Sequence, residues 1–290
     1  MKSLKSKEKR VILNIFTTTL KNNIKTLAIG CFDGVHLGHR KLIECLDDSG
    51  ALLIIDKFKG KKLCTNQDKA FLAQKEIIEL DFENIKALDG KDFLQALKEE
   101  FVNLERIVVG FDFSFGKNRS YKAKDIEALS GIKTTIIDEF KLDGVGVHAS
   151  LIKEYLTQGD IKKANSFLGR NYAIKGKLIK GQGLGSKELF ATLNLECEEY
   201  FLPKNGVYAS IVSFHDKRYK SVSFVGVRSS DMQFAIESHI IEKFDESLAI
   251  GEVLELEFVE FLRENQKFND LAQLKEQISK DINQAKECLG

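Results

Sequence analysis

Gly30-Cys31-Phe32-Asp33-Gly34-Val35-His36-Leu37-Gly38-His39 is the stretch on which the fold turns. The run Lys25 to Gly30 before it is short and apolar and ends in glycine, which reads as a buried strand. Val35 to Leu46 after it has helical spacing, with Leu37, Ile43 and Leu46 on or near one face. A strand that hands over to a helix through a glycine-bearing turn is where open α/β sheets bind ligands. The free N–H groups and dipole of a helix start favour phosphate. His36 and His39 are three apart, so both point to one face, where two imidazoles can donate to triphosphate oxygens. Gly38 between them allows close approach of a nucleotide to the backbone. A surface loop with two incidental histidines, or a helical metal pair, is the alternative at this point.

Outward from this stretch, Leu52 to Ile55, Arg106 to Gly110 and Thr134 to Phe140 read as strands. Lys69 to Leu80 and Lys91 to Phe101 read as amphipathic helices. Strands alternating with helices predict a parallel sheet. Helical character resumes at Leu151 to Tyr155 and Ile161 to Leu168. Beyond Gly169 the pattern changes. Tyr172 to Lys180, Gly206 to Phe214, Tyr219 to Val227, Phe234 to Ile241 and Glu252 to Leu262 are strand candidates separated by polar turns, which predicts an antiparallel sheet or barrel. Phe268, Leu271, Leu274, Ile278 and Ile282 form the stripe of a closing amphipathic helix. The expected division is therefore one domain over 10–168 and a second over 169–290.

The 290 residues suit two domains, and 43% apolar content suits ordinary cores. With 44 basic and 43 acidic side chains the net charge is +1, which gives no case for a nucleic-acid or membrane surface. Five cysteines, at 31, 45, 64, 197 and 288, form no zinc-like spacing, and reduced thiols in a cytoplasmic setting are the simplest reading. No signal peptide is read in the polar, basic start, and no run of eighteen apolar residues occurs.

The first stretch resembles the H-x-G-H signature of nucleotidyltransferases, and its longer form is similar to that of the bacterial bifunctional riboflavin kinase/FAD synthetases. Val109-Gly110-Phe111-Asp112-Phe113-Ser114-Phe115-Gly116 with Arg119 resembles that family's flavin-side motif, although Tyr121 stands where the motif has glycine. The resemblance implies that Asp112, Phe113, Phe115 and Arg119 border a flavin; the phenylalanines also read as plain core. It implies that Gly30, Phe32, Asp33 and Gly38 hold ATP, with His36 and His39 catalytic. The implied reaction is attack of the FMN phosphate on the α-phosphorus of ATP, with Mg²⁺ as cofactor. The family's Ser/Thr-rich stretch ending in Ile-Arg is reduced here to Val147-His148-Ala149-Ser150-Leu151-Ile152-Lys153. Ser150 keeps one hydroxyl, and Lys153 keeps the charge but not the bidentate fork.

The second half continues the resemblance. Gly183 and Gly185 belong to a glycine-rich loop expected to hold ATP, and Ala191-Thr192-Leu193-Asn194 follows, with alanine in place of the family proline. Thr192 and Asn194 are two apart and share a strand face, so their oxygens can ligate Mg²⁺. Glu237, in Ile236-Glu237-Ser238-His239-Ile240, corresponds to the family's base on the ribityl 5′-hydroxyl, and His239 is expected to be structural. Phe224 to Ser230 aligns with a further family stretch, with Phe224 and Ser229 in place of its asparagine and proline.

The likeness runs over about residues 10 to 290. It implies a Rossmann-like α/β nucleotidyltransferase domain followed by a six-stranded antiparallel Greek-key barrel with a C-terminal helix. The expected activity is phosphorylation of riboflavin to FMN and adenylylation of FMN to FAD by a monomer or weak oligomer. The replacements at 148, 149, 153, 191, 224 and 229 keep open the alternative that only one activity is retained. Against a further alternative, a catalytically silent flavin- or nucleotide-binding regulator, stand His36, His39, Thr192, Asn194 and Glu237. Against an H-x-G-H transferase with a different acceptor stand the E-x-H strand and the C-terminal helix.

Overall fold

The computed structural model describes residues 21–57, 60–181, 191–228, 231–242, 248–268 and 270–290. Two compact units make up the chain: one runs to Gly60 and takes in Cys64–His148, and the other is Lys61–Leu63 with Ala149–Gly290.

The first unit runs β1 (Thr26–Gly30), α1 (Leu37–Ile43), β2 (Gly50–Asp56), α2 (Asn66–Ala73), β3 (Glu76–Asp81), α3 (Phe82–Ile85), α4 (Gly90–Glu100) and β4 (Arg106–Gly110). It continues with β5 (Ser114–Phe115), β6 (Tyr121–Lys122), α5 (Asp125–Ser130), β7 (Lys133–Ile137), β8 (Lys141–Leu142) and β9 (Val145–Gly146). Five strands form a parallel sheet in the order β3-β2-β1-β4-β7. The central strands are apolar without alternation because both faces are covered. Leu27, Ile29, Leu53, Ile55 and Val109 meet Phe93, Leu94 and Leu97 of α4 on one side. Ala28, Leu52, Ile54 and Val108 meet Leu42 and Leu46 on the other. The strand order reverses at β1: the chain builds outward to β3, then returns to the far side of β1 as β4. The crevice at such a reversal is the ligand position of open α/β sheets.

One expected element is corrected. The helix read over Lys69 to Leu80 ends at Ala73, where Gln74 turns left-handed at φ 51°. Glu76–Asp81 is instead the edge strand β3. Its Ile78 and Leu80 are buried while Glu79 and Asp81 are exposed, a period of two that outweighs the helical reading of the same residues.

The second unit opens with α6 (Ala149–Gln158) and α7 (Ile161–Leu168). Strands β10 (Tyr172–Ile179), β11 (Leu193–Glu196), β12 (Gly206–Phe214), β13 (Lys217–Val227), β14 (Phe234–Ile240) and β15 (Val253–Arg263) follow, and then α8 (Leu271–Leu289). The strands close into an antiparallel barrel in the order β10-β11-β14-β13-β12-β15. Strands β12, β13 and β14 are consecutive hairpin partners and β15 returns beside β12, a Greek key. Tyr208 and Phe258 pack edge-on inside the barrel at 5.0 Å. Four fully buried serines are satisfied by one another: Ser210 reaches Ser221 at 2.8 Å and Ser223 at 2.6 Å, and Ser223 reaches Ser238 at 2.6 Å. The helices over 149–168 belong to this unit. Asn165 of α7 donates to Phe258 O at 2.9 Å and accepts from Tyr172 N at 2.7 Å. Compact packing thus divides the chain after His148, whereas the change of sequence pattern falls near 168.

Helix α8 covers the outer face of β12 and β13, with Ile278, Ile282 and Ala285 against Val207, Ala209, Val222 and Phe224. It is pinned by a fork of two parallel bonds, Arg263 Nε to Asp281 Oδ1 at 2.8 Å and Nη2 to Oδ2 at 2.7 Å. Asp281 is 2% exposed. Removing Asp281 strips the part-buried Arg263 guanidinium of its carboxylate and leaves it only the hydrogen bond to Glu264 O. Asp281→Ala is therefore expected to lower stability by about 3 kcal/mol, and Arg263→Met with Asp281→Leu to recover most of it; urea unfolding followed by circular dichroism measures both.

Candidate active sites

The first site is built from the turn after β1. Phe32 and Val35 take left-handed backbone at φ 51° and 40°, conformations unusual for these residues, and Val35 N closes the turn on Phe32 O at 3.1 Å. Both side chains are fully buried. This burial holds the strained turn and fixes where α1 begins. His36 is the N-cap of α1: its Nδ1 accepts from the backbone N–H of His39 at 3.3 Å. With Nδ1 used as an acceptor, the neutral ring carries its proton on Nε2. The two rings stack with centroids 3.6 Å apart. His39 also packs against Phe32 at 5.1 Å, and its Nδ1 is buried with no hydrogen-bond partner. Burial first, then the neighbouring His36, Lys69 and His148, hold the His39 imidazole well below the ordinary histidine range. A side chain on Gly38 would press on the His36 ring at 3.3 Å. Gly30, Phe32, Asp33, Gly38, His36 and His39 are thus brought together at the carboxyl end of the central strand.

His148 stands in this unit too, bonded through Nε2 to Glu139 Oε1 at 3.0 Å. Ser150 and Lys153 fall on α6 of the second unit. Ser150 is exposed there, and Lys153 Nζ donates to Lys61 O at 3.2 Å and lies 5.7 Å from the Phe201 ring centre.

The aromatic block after β4 divides. Phe113 N bonds Gly110 O at 3.1 Å, so the chain turns and the three phenylalanines do not share a face. Phe115 is 6% exposed, within the core, stacked between Phe113 at 5.8 Å and Tyr121 at 5.5 Å. Phe111 is 47% exposed, and Asp112 beside it is also exposed. Arg119 Nε donates to Ser114 Oγ at 2.6 Å. Tyr121 presses on Gly90 and Gly116, where any side chain would clash with its ring.

In the second unit the strand register assembles a row on the outside of the barrel. Asn194 of β11 lies opposite Glu237 of β14, and Glu237 opposite Phe224 of β13. Thr192 immediately precedes β11, with its Oγ1 3.5 Å from Asn194 Nδ2. Gly181 approaches so closely that a Cβ there would sit 2.4 Å from the Asn194 amide. His239 Nδ1 bonds Ala191 O at 2.8 Å. That contact fixes the residue standing where the family has proline and supports a structural role for His239. Phe224, in place of the family asparagine, packs into the apolar cluster under α8. Gly183, Gly185 and Ser229 lie outside the described residues.

The sequence reading gave no role to Arg228. Its Nη1 donates to Glu237 Oε1 at 2.9 Å, and its Nη2 and Nε donate to Asp231 at 2.8 and 3.2 Å. The available signal was an arginine three residues before an aspartate in the hairpin facing Glu237. Among the described residues no group of three or more His, Cys, Asp or Glu side chains could hold a metal ion. No helix among them is long and apolar enough to cross a membrane.

Comparison with known proteins accords with this geometry. The FAD synthetase family model matches residues 57–151 and the riboflavin kinase family model matches residues 168–289. Bifunctional riboflavin kinase/FMN adenylyltransferases from Bacillus subtilis and Mycoplasma pneumoniae are each 29% identical to the chain, over 89% and 90% of it and 90% and 96% of their own lengths. That from Listeria monocytogenes is 27% identical, over 89% of this chain and 90% of the relative. A crystal structure described as a macrolide-efflux protein from Streptococcus pneumoniae superposes with a TM-score of 0.81, covering 94% of this chain and 96% of that one. At 20% identity that likeness is one of fold. With both family models matched in order and relatives aligned over nearly their whole length, the chain belongs to the bifunctional riboflavin kinase/FAD synthetase family.

Proposed function

We propose that the chain phosphorylates riboflavin to FMN at the barrel and adenylylates FMN to FAD at the H-x-G-H site, with ATP as co-substrate of both steps. The adenylyl transfer is assigned to residues 10–168 and the kinase to 169–290. The observation that carries the reading is the stacked imidazole pair at the carboxyl end of β1, in the crevice where the strand order reverses. His36 presents Nε2–H, and His39, held neutral, adds a second ring without repelling the first. Adenylyl transfer forms a bond from an FMN phosphate oxygen to the α-phosphorus and releases pyrophosphate. It needs alignment and donors aimed at developing charge rather than a covalent intermediate. Asp112, Phe113 and Arg119 remain the flavin contacts of this half. Exposed Phe111 joins them, and buried Phe115 supports Phe113 from beneath. Ser150 and Lys153 are kept as ATP contacts, as are Gly183 and Gly185 on the kinase side.

For the kinase, Glu237 accepts the proton of the ribityl 5′-hydroxyl as that oxygen attacks the γ-phosphorus. Arg228 holds one carboxylate oxygen and so positions the base. Thr192 Oγ1 and, once the amide whose Nδ2 now faces Thr192 turns over, Asn194 Oδ1 form a neutral oxygen pair that suits Mg²⁺ taking its remaining ligands from phosphates and water. Bound there, the ion would neutralise phosphate charge. A cytoplasmic setting is inferred from these small soluble substrates.

Purified protein given riboflavin, ATP and Mg²⁺, with products resolved by chromatography, tests the assignment. His36→Ala is expected to lower FAD formation from FMN by about 1000-fold and to spare FMN formation. Glu237→Ala is expected to do the reverse, by about 1000-fold. Loss of both activities in each folded variant overturns the two-site assignment. Arg228→Ala is expected to slow riboflavin phosphorylation by about 100-fold through misplacement of the base while leaving FAD formation from FMN intact. The protonation of His39 also links to stability. Its folded pKa lies below the unfolded value of about 6.5, so the unfolded chain takes up a proton first as pH falls. Stability is complete above that value and is lost as pH falls through it toward the folded pKa. Melting curves at pH 7.5 and 5.5 are expected to show a smaller acid loss in His39→Gln.

A further inference from the structure

Lys69 is a buried cation that the scheme above leaves unused. It lies in the first half of α2 and is 2% exposed, although lysine is almost never fully buried unless paired. One of its three ammonium protons goes to Asn66 Oδ1 at 2.9 Å. Among the described residues no carboxylate lies within ion-pair distance of it. The adjacent carboxylate is committed elsewhere: Asp68 Oδ2 accepts from Thr65 N at 2.9 Å and from Thr65 Oγ1 at 2.8 Å, closing the capping box of α2.

The segment that carries Lys69 is fastened to the signature turn. Cys64, just before the cap, accepts the Gly34 N–H on its Sγ at 3.1 Å. Cys31 Sγ, in the residue after β1, reaches Ile55 O at 3.1 Å, so this turn lies over the ends of both β1 and β2. The positive charge of Lys69 bears on this turn: burial pushes the Cys31 thiol up and Lys57, then Lys69, oppose that rise, while at His39 Lys69 adds to the lowering by burial and His36. His36, His148 and Lys69 thus bear on His39, whose own Nδ1 is sealed without a partner. Such a gathering of cationic and potentially cationic groups is costly in the free protein and favourable around a polyanion.

We propose that Lys69 donates directly to the phosphate chain of the nucleotide at the imidazole pair and carries the charge of the departing pyrophosphate. This rests on the reading of His36 and His39 as the site of adenylyl transfer. In that step the FMN phosphate oxygen bonds to the α-phosphorus, and the bond from that phosphorus to the bridging oxygen breaks. The electron pair leaves with pyrophosphate. The ammonium keeps its protons throughout and contributes a full charge that neutral imidazole does not.

The test uses the full-length chain with Lys69→Met and Lys69→Arg, and His36→Ala beside them. FAD formation from FMN, riboflavin phosphorylation and calorimetric binding of inorganic pyrophosphate and of adenosine are measured on each. Lys69→Met is expected to lower kcat/KM for ATP in FAD formation about 100-fold and pyrophosphate affinity at least about 10-fold, with adenosine binding and riboflavin phosphorylation unchanged. Lys69→Arg is expected to stay within about 10-fold of the parent, since the charge is kept. Unchanged pyrophosphate affinity in Lys69→Met overturns the proposal, as does an equal loss of adenosine and pyrophosphate binding, which marks a packing role. If His36→Ala abolishes FAD formation while Lys69→Met matches the parent, the role of Lys69 alone fails. If His36→Ala retains FAD formation, the reading of the site fails with it.

Discussion

One hydrogen bond organises the nucleotide end of the molecule: the backbone N–H of His39 donating to Nδ1 of His36. It caps α1, and a cap satisfies one of the orphan donors that every helix start leaves. It also fixes which nitrogen of His36 carries the proton and brings the second imidazole into register to stack on the first. The bond forms only because Phe32 and Val35 accept left-handed backbone, and they accept it because their side chains fill the core on either side of the turn. Strain at the site is thus held by burial beneath it, as is common where function needs an unusual backbone.

The barrel solves a different problem. Its interior is packed, with four buried serines hydrogen-bonded to one another. The chemistry-bearing residues lie on the outside, where the antiparallel register sets Asn194 across from Glu237. Side chains directly opposite on adjacent strands stand about 5 Å apart on one face, so register alone brings the base beside the proposed cation ligands. A slip of one residue would send Glu237 into the core and Ser238 out. The serine chain resists that slip, because its hydrogen bonds exist only in the observed register. The ion pair with Arg228 then orients the carboxylate within the row.

Much of this was legible in the sequence. The apolar runs at 25–30, 52–55 and 106–110 became the central strands, and Gly206–Phe214 and Ile161–Leu168 form with the bounds read for them. What escaped was decided by tertiary contact. Glu76–Asp81 pairs with β2 at the sheet edge, which local spacing could not show. Phe111, Phe113 and Phe115 alternate as a strand would, yet a turn at Gly110 splits them between solvent and core. The helices at 149–168 lack any pattern that would assign them to the barrel; the bonds of Asn165 do so. A lysine in the first half of a helix reads as solvated, and only the packing of α2 reveals Lys69 as buried.

The account stands on nucleotide phosphates docking against paired imidazoles. A crystal structure of the full chain with FMN and a non-hydrolysable ATP analogue measures this directly. The account predicts an analogue phosphate oxygen within hydrogen-bond distance of His36 Nε2, at the carboxyl end of β1. It is contradicted if that crevice stays closed by side chains while every bound analogue places its phosphates elsewhere.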